Sequence, residues 1–256
     1  MKIPLKPISL LVAIVLTLLI TIGFLSTPLQ ASTTEVSVSD LRTSNVRNGT
    51  FTVSWITGTT TTGEVHYGTS SNNLDQIAQD TRGASTSDDT HFVTLSTLTE
   101  NTTYYFDIHS NGQVDNNGGN HYSVTTGPTL SLRGPDTVYG QVFKSDGSSK
   151  AEGCLVTITL HDGDVSGSPG QAAPLSSLTD QEGYWQVNLA ASRVTGLADY
   201  FQYSPSGDNV QLAVQCASDG TADLTVDTGD DYPAPAMVLA VPDLQKIYLP
   251  LTVRGN

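Results

Sequence analysis

Short runs of alternating polar and apolar residues, each closed by a turn signal, constrain this chain most strongly. Phe51-Thr-Val-Ser-Trp55, His91-Phe-Val-Thr-Leu95 and Tyr104-Tyr-Phe-Asp-Ile108 are three of them. A period of two residues places successive side chains on opposite faces of a β-strand. Helical periodicity of useful length is absent after residue 31, and the short helix-like stretch near Leu189 to Leu197 is equally consistent with a loop. The sequence therefore predicts an all-β fold of two consecutive antiparallel β-sandwiches.

The first residues predict export from the cytoplasm. Lys2 and Lys6 precede an almost unbroken apolar run over residues 8–25, and small and polar residues follow up to Gln30-Ala31-Ser32. This pattern is typical of a secretory signal peptide over residues 1–31, cleaved after Ala31. The alternative is an uncleaved anchor, because the run approaches the ~20 residues that a membrane-spanning helix needs. We expect an extracellular or cell-surface location, with membrane contact only if this N-terminal helix is retained.

The net charge excludes one class of partner. The formal net charge is −14, and residues 1–31 contribute two lysines and no acidic residue, so the exported part is more acidic still. Such a chain repels nucleic acid and anionic membrane surfaces, and we expect no nucleic-acid partner.

Cys154 and Cys216 do not form a C-x-x-C motif. Outside the cytoplasm such a pair favours a disulfide over a redox site, although two buried thiols are the alternative.

The first sandwich is expected over residues 34–127, and it resembles a known family. Leu98-Thr-Glu-Asn-Thr-Thr-Tyr104 resembles the L-x-P-G-T-x-Y motif of fibronectin type III domains, with Glu100 and Asn101 in place of the usual Pro-Gly. The segments "VSWIT" and "EVHYGTSSNNLDQIAQD" resemble the variant found as the N-terminal domain of purple acid phosphatases. The resemblance implies that Trp55 lies in the core and that Tyr104 packs at a strand corner. A hairpin tip is expected at Asn116-Asn-Gly-Gly119.

A Gly- and Pro-containing linker at 128–135 separates this region from a second sandwich, expected over 136–239. There "TVYGQVFKSDGSSKAEGCLVTITL" and "LTDQEGYWQVNL" resemble the carboxypeptidase regulatory-like, or transthyretin-like, sandwich. The resemblance places Cys154 in the second strand and Cys216 at the end of a later one. Residues 240–256 form a tail in which "KIYLPLTVR" resembles a terminal segment of exported proteins of some filamentous bacteria. This tail is interpreted either as a sorting tag or as an ordinary edge strand.

Phosphatase activity is not expected from this sequence. Purple acid phosphatases hold two metal ions and need many Asp, Asn and His ligands in ordered motifs. Gly119-Asn-His121 and Gly229-Asp-Asp-Tyr232 resemble two of these motifs, but they occur in the wrong order and in different predicted sandwiches. The α/β domain that carries the metals in that family has no counterpart in this sequence. We therefore predict no catalytic residues and no cofactor.

Alternation along three strands predicts an exposed face rich in histidine. If Val65, Tyr67, Tyr104, Phe106, Ile108, Tyr122 and Val124 point into the core, their neighbours point outward. This places His66, Asp107, His109 and His121 on one face, where they are candidate ligands for zinc or copper. Two alternatives stay open, namely a polar solvent-facing sheet surface and a sugar- or protein-contact patch that includes Tyr105.

Two acidic loops, Asp162-Gly-Asp164 and Asp227-Thr-Gly-Asp-Asp231, contain oxygens of the kind that calcium prefers. Neither has the spacing of a known calcium loop, so solvated turns are the preferred interpretation.

The expected function is non-catalytic binding or spacing at the cell surface. The expected partner is cell-envelope polysaccharide or another exported protein. The alternatives are an accessory module or partner of a secreted hydrolase, and metal binding through the histidine face.

Overall fold

The computed structural model describes residues 36–241. The predicted signal peptide over residues 1–31 and nearly all of the predicted tail over 240–256 lie outside the described residues. Within 36–241, no helix is long and apolar enough to cross a membrane. Strands make up most of the ordered structure, so the predicted all-β fold with antiparallel sandwiches is confirmed.

The first sandwich contains eight strands that pair in an antiparallel manner. One sheet has the order β1-β2-β5, and in the other β4, β3 and β6 are neighbours while β7 and β8 both pair with β6. The strands are β1 (Val38–Ser44), β2 (Phe51–Thr61), β3 (Gly63–Gly68), β4 (Gln76–Gln79), β5 (Asp88–Leu95), β6 (Thr103–Ser110), β7 (Gln113–Asp115) and β8 (Tyr122–Thr125).

Two aromatic residues confirm the fibronectin-like expectations for this core. Trp55 is fully buried, and its Nε1 donates a hydrogen bond to Ser110 Oγ at 3.1 Å. Tyr104 is also buried, and its hydroxyl oxygen accepts a hydrogen bond from the backbone N–H of Thr99 at 2.9 Å. This bond returns to the backbone five residues upstream, which is the tyrosine-corner arrangement.

The second sandwich contains seven strands and the disulfide. Its sheets have the orders β11-β10-β13-β14 and β12-β9-β15, and β15 pairs with β9 in parallel, unlike the other pairs. The strands are β9 (Thr137–Phe143), β10 (Leu155–His161), β11 (Leu175–Leu178), β12 (Tyr184–Asn188), β13 (Asn209–Gln215), β14 (Thr221–Asp227) and β15 (Met237–Val238). Cys154, just before β10, and Cys216, just after β13, form the predicted disulfide.

The structure corrects the predicted position of one hairpin tip and defines the helix-like stretch near Leu189. The hairpin tip lies at Asn111-Gly112, not at Asn116–Gly119, because both residues at 111 and 112 adopt positive φ (49° and 79°) and join β6 to β7 in two residues. The predicted tip instead contains a 3-10 turn, Asn117–Gly119, that leads from β7 to β8. In the stretch from Leu189 to Leu197, only Leu189–Ala191 is helical, as a single 3-10 turn.

The outer face of the β1-β2-β5 sheet is covered by the second sandwich. Along β2, Thr52, Ser54 and Ile56 point away from the first core, yet they are buried (0%, 2% and 8% exposed). Ile56 and Phe92 of the first sandwich pack with Leu155 of the second in a separate apolar cluster. We call this contact the seam.

Hydrogen bonds also cross the seam. Asn45 Oδ1 accepts from the backbone N–H of Ser176 at 3.0 Å, and Asn45 Nδ2 donates to the Ser176 carbonyl at 3.1 Å. On β5, Thr90 Oγ1 donates to the Gly153 carbonyl at 2.7 Å. The described strands thus belong to one compact unit. The domain bounds 34–127, 128–135 and 136–239 stay predictions.

Candidate functional site

The predicted histidine face lies on the β3-β6-β8 surface. Val65, Tyr104, Phe106 and Ile108 are buried in the first core, and Tyr122 and Val124 pack against it. Side chains alternate between the two faces of a strand, so the residues between them point outward. Strand pairing places His66 opposite Asp107 and Glu64 opposite His109. This sheet surface therefore carries three histidines and two carboxylates.

Glu64, His66 and His109 form one tight group. His66 Nε2 lies 2.8 Å from Glu64 Oε1, and the His66 and His109 rings stack with centroids 3.6 Å apart and planes 5° from parallel. One ligand atom from each of the three residues lies within 4.8 Å of the others. Burial, and then the neighbouring His66, lower the pKa of His109. The His109 imidazole is therefore neutral at neutral pH.

The other two predicted ligands pair with each other. His121 Nδ1 lies 2.7 Å from Asp107 Oδ1, and Asp107 is buried while His121 is half-buried. Neither joins the three-residue group. Of the four residues predicted as ligands, the structure brings together only His66 and His109, and Glu64 takes the place of the carboxylate that Asp107 was expected to supply.

His91 lies in the first core, not on this face. It is fully buried, its ring stacks on Trp55 with centroids 4.8 Å apart, and its Nε2 lies 3.1 Å from Thr61 Oγ1. Its Nδ1 has no hydrogen-bond partner among the described residues and lies 3.9 Å from Asp80 Oδ2. Burial lowers the pKa of His91 to about 4, against the opposing effect of Asp80. The ring is neutral and inaccessible, so its role is structural.

An aromatic groove lies on the second sandwich, where β11 and β12 come together. Its volume is about 510 Å³. Tyr184 and Gln186 point outward from β12, and Gln186 pairs across the sheet with Tyr139 of β9, which shares the same face. The lining residues are Tyr139, Ser177, Leu178, Asp180, Tyr184, Trp185 and Gln186.

Tyrosine rings give this groove flat apolar surfaces at its opening. Tyr184 is 47% exposed. Tyr232 is 70% exposed and meets Tyr139 edge to face, with ring centroids 4.9 Å apart. Asp180 is the one charged residue in the lining, and its Oδ1 accepts the backbone N–H groups of Glu182 and Tyr184 at 3.0 and 2.8 Å. The groove thus combines exposed aromatic faces with amide and hydroxyl groups and little charge.

Sequence reasoning did not identify this groove, although the signal was present. Tyr139 and Tyr184 stand out of phase with the buried Val138 and Trp185. An aromatic residue at an outward position of a strand is a recognition signal, because a polar side chain would suit a merely solvated face better.

The acidic loops use their oxygens to hold turns. Asp162, Asp164 and Asp208 offer oxygens within 4.8 Å of one another. Asp208 accepts the backbone N–H groups of Gly163 and Ser204, both at 2.7 Å. These bonds agree with the interpretation of the loops as turns.

The two phosphatase-like motifs lie on different sandwiches. His121 of the first motif follows a 3-10 turn in the first sandwich and contacts Asp107. Asp230 and Asp231 of the second motif follow β14 in the second sandwich. They do not build one metal centre.

Comparison with known proteins finds a family match for the first sandwich. Residues 36–126 match the family model of the purple acid phosphatase N-terminal domain. That domain is the non-catalytic part of its family, and its fold is fibronectin type III-like. Among solved structures, the FN1–FN3 domains of chicken CNTN1 are 10% identical, with a TM-score of 0.25, and the match covers 78% of this chain and 67% of that chain. Comparison with curated proteins finds no match.

Proposed function

We propose that this protein is an exported, non-catalytic binding protein that attaches to a neutral polysaccharide of the cell envelope. The observation that carries the proposal is the aromatic groove with Tyr139 and Tyr184 beside Gln186. Small-ligand sites are concave and combine apolar walls with a few polar groups, and this groove places aromatic rings beside an amide and a hydroxyl.

Sugar rings fit the chemistry of this groove. A pyranose presents a face of C–H groups, which packs against the flat face of a tyrosine, while its hydroxyls need hydrogen-bond partners at the rim. Tyr184 supplies an exposed ring, and Gln186 and Ser177 supply an amide and a hydroxyl. Tyrosine suits such contacts because it joins a large apolar surface to a polar tip.

Charge favours a neutral ligand over an anionic one. The formal net charge of the chain is −14, and the groove contributes Asp180 but no basic residue. An anionic polysaccharide would be repelled both at long range and within the groove. A neutral polysaccharide is repelled neither at long range nor within the groove.

The seam supports the additional role of a spacer. Apolar packing of Ile56 and Phe92 on Leu155, together with the Asn45–Ser176 hydrogen bonds, fixes the second sandwich to the outer sheet face of the first. Two rigidly joined sandwiches hold the groove at a defined distance from the opposite end of the protein.

A non-catalytic role agrees with the burial of His91. His91, which contacts the hydroxyls of Thr57 and Thr61, is fully buried and out of reach of a substrate. The matched region is the non-catalytic N-terminal domain of an enzyme family.

The proposal includes export through the signal peptide over residues 1–31 and a carboxypeptidase regulatory-like identity for the second sandwich. The latter is supported by the order of β9, the apolar β10 and the turn at Asp180–Gly183 that leads into β12. The Cys154–Cys216 disulfide suits an oxidising compartment outside the cytoplasm.

The test measures retention of the purified protein on immobilised neutral envelope polysaccharide. We expect retention of the wild type, and a loss of about 10-fold or more in affinity for Tyr184→Ala, since stacked aromatic side chains are typical binding hot spots worth ~2 kcal/mol. Tyr105→Ala is the matched control, because Tyr105 is an outward tyrosine of the histidine face.

The outcomes of this test are distinguishable. Loss for Tyr184→Ala alone supports the groove. Loss for Tyr105→Ala alone moves the binding surface to the first sandwich and overturns the groove assignment. Equal retention of both variants, or no retention of the wild type, overturns the proposal, and capture of an exported protein in place of polysaccharide would identify the other partner class.

A second candidate function is that of an accessory module or partner of a secreted hydrolase. The match of residues 36–126 to a phosphatase N-terminal domain favours it. Its test is chemical cross-linking of the native protein on intact cells. A cross-linked hydrolase as the main product would support this candidate over attachment to polysaccharide.

A further inference from the structure

The group of Glu64, His66 and His109 has the composition of a metal site on the first sandwich. Two imidazoles and one carboxylate form a common ligand set for zinc, and imidazoles also suit copper. The three side chains come from two hydrogen-bonded strands, with Glu64 directly opposite His109 across β3 and β6. Their ligand atoms lie within 4.8 Å of one another.

We propose that Glu64, His66 and His109 bind one divalent cation, Zn²⁺ or Cu²⁺, on the outer face of the first sandwich. This site lies on a different sandwich from the aromatic groove, and it does not depend on the proposed function.

The sheet and the core fix the backbone positions of these three residues before a cation binds. β3 lies between β4 and β6, so it is paired along both edges, and the inward neighbours Val65 and Ile108 are fully buried. The Cα positions are therefore fixed by the core, and binding requires only side-chain rotation. Such preorganisation lowers the cost of binding.

The side chains need a modest rearrangement to converge. The ring planes are almost parallel and the centroids lie 3.6 Å apart, so at least one ring must turn before nitrogen lone pairs from both rings meet at one ion. Cation binding also breaks the contact between His66 Nε2 and Glu64 Oε1, which lie 2.8 Å apart.

Exposure leaves a coordination position open. The side chain of Glu64 is 38% exposed and that of His66 is 25% exposed. Three protein ligands at a surface leave a fourth position of a tetrahedral ion to water or to a group from a partner.

The test is calorimetric titration of untagged, chelator-treated protein with Zn²⁺. We expect one equivalent to bind with micromolar or tighter affinity. His66→Gln and His109→Gln should each weaken binding by more than about 100-fold, because loss of even an outer-shell partner costs about 10- to 100-fold. His161→Gln is the matched control, since His161 lies on the second sandwich and contacts Gln211.

A second readout separates ligation from damage to the fold. The electron paramagnetic resonance spectrum of one equivalent of Cu²⁺ should show two nitrogen ligands in the wild type and in His121→Gln, and one in His109→Gln. Unchanged melting temperatures of the metal-free variants establish that the fold is intact. Absence of heat with Zn²⁺, or equal affinity of the wild type and His66→Gln, would overturn the proposal.

Discussion

Acidification is expected to destabilise the first sandwich through His91. The ring is fully buried between Trp55 and the threonines of β2, and its pKa is lowered to about 4. In the unfolded chain a histidine titrates near ~6.5. Between these two values the unfolded chain binds a proton that the folded protein does not. The free energy of unfolding therefore falls as the pH drops below about 6.5, and this loss levels off near about 4.

The size of the effect follows from the difference between the two pKa values. A change from about 6.5 to about 4 corresponds to about 3 kcal/mol in total, of which ~2 kcal/mol is lost by about pH 5. This is a large part of the ~5–15 kcal/mol that stabilises a typical domain. Burial explains the cost, because the buried Nδ1 has no hydrogen-bond partner among the described residues and Asp80, 3.9 Å away, offsets only part of it.

The assay compares urea unfolding of the wild type and His91→Gln at several pH values. Glutamine is polar and does not titrate, so the difference between the two proteins isolates His91 from other acid-sensitive groups. We expect the advantage of the wild type to shrink by about 2 kcal/mol between about pH 7.5 and about pH 5. A difference that stays constant with pH would refute the assignment of a buried, neutral imidazole.

Three further predictions concern stability. Reduction of the Cys154–Cys216 bond, which closes a loop with a sequence separation of 62, should lower the free energy of unfolding by ~4 kcal/mol, measured by urea denaturation with and without reductant. Gly63→Ala should cost about 2 kcal/mol or more, measured by thermal melting, because a Cβ there would lie 2.7 Å from Trp55 Cζ2 and closer still to the His91 ring. Burial, with Asp136 nearby, raises the pKa of Asp231 to about 6, so its contribution to stability is present below about pH 4 and is lost as the pH rises through about 6. Asp231→Asn should therefore stabilise the protein at pH 8 by about 3 kcal/mol, and chemical denaturation that shows no such gain would contradict this.

Alternation in the sequence was sufficient to predict the sandwich class and the inner and outer faces of β3 and β6. Val65 and Ile108 lie in the core, and His66 and His109 lie outside, because a strand with one buried face has few alternatives. The choice of metal ligands was less accurate. Cross-strand register decides which outward side chains meet, and it placed Glu64 opposite His109.

The seam was not predicted, and the reason is visible in two strands. Ile56 directly follows the inward Trp55, and Phe92 directly precedes the inward Val93, so both are apolar at outward positions. Each breaks the alternation of its strand. Apolar residues out of phase on two neighbouring strands indicate that a second layer covers the sheet, but the sequence does not say which part of the chain supplies it.

The central claim, that a neutral polysaccharide occupies the aromatic groove, is tested most directly by nuclear magnetic resonance. Tyr184 and Gln186 point outward into the groove, whereas Trp55 is hydrogen-bonded in the core of the other sandwich. Titration with a neutral oligosaccharide should shift the backbone amide signals of Tyr184 and Gln186 and leave the indole N–H signal of Trp55 in place. Unchanged Tyr184 and Gln186 signals at saturating oligosaccharide would contradict the claim.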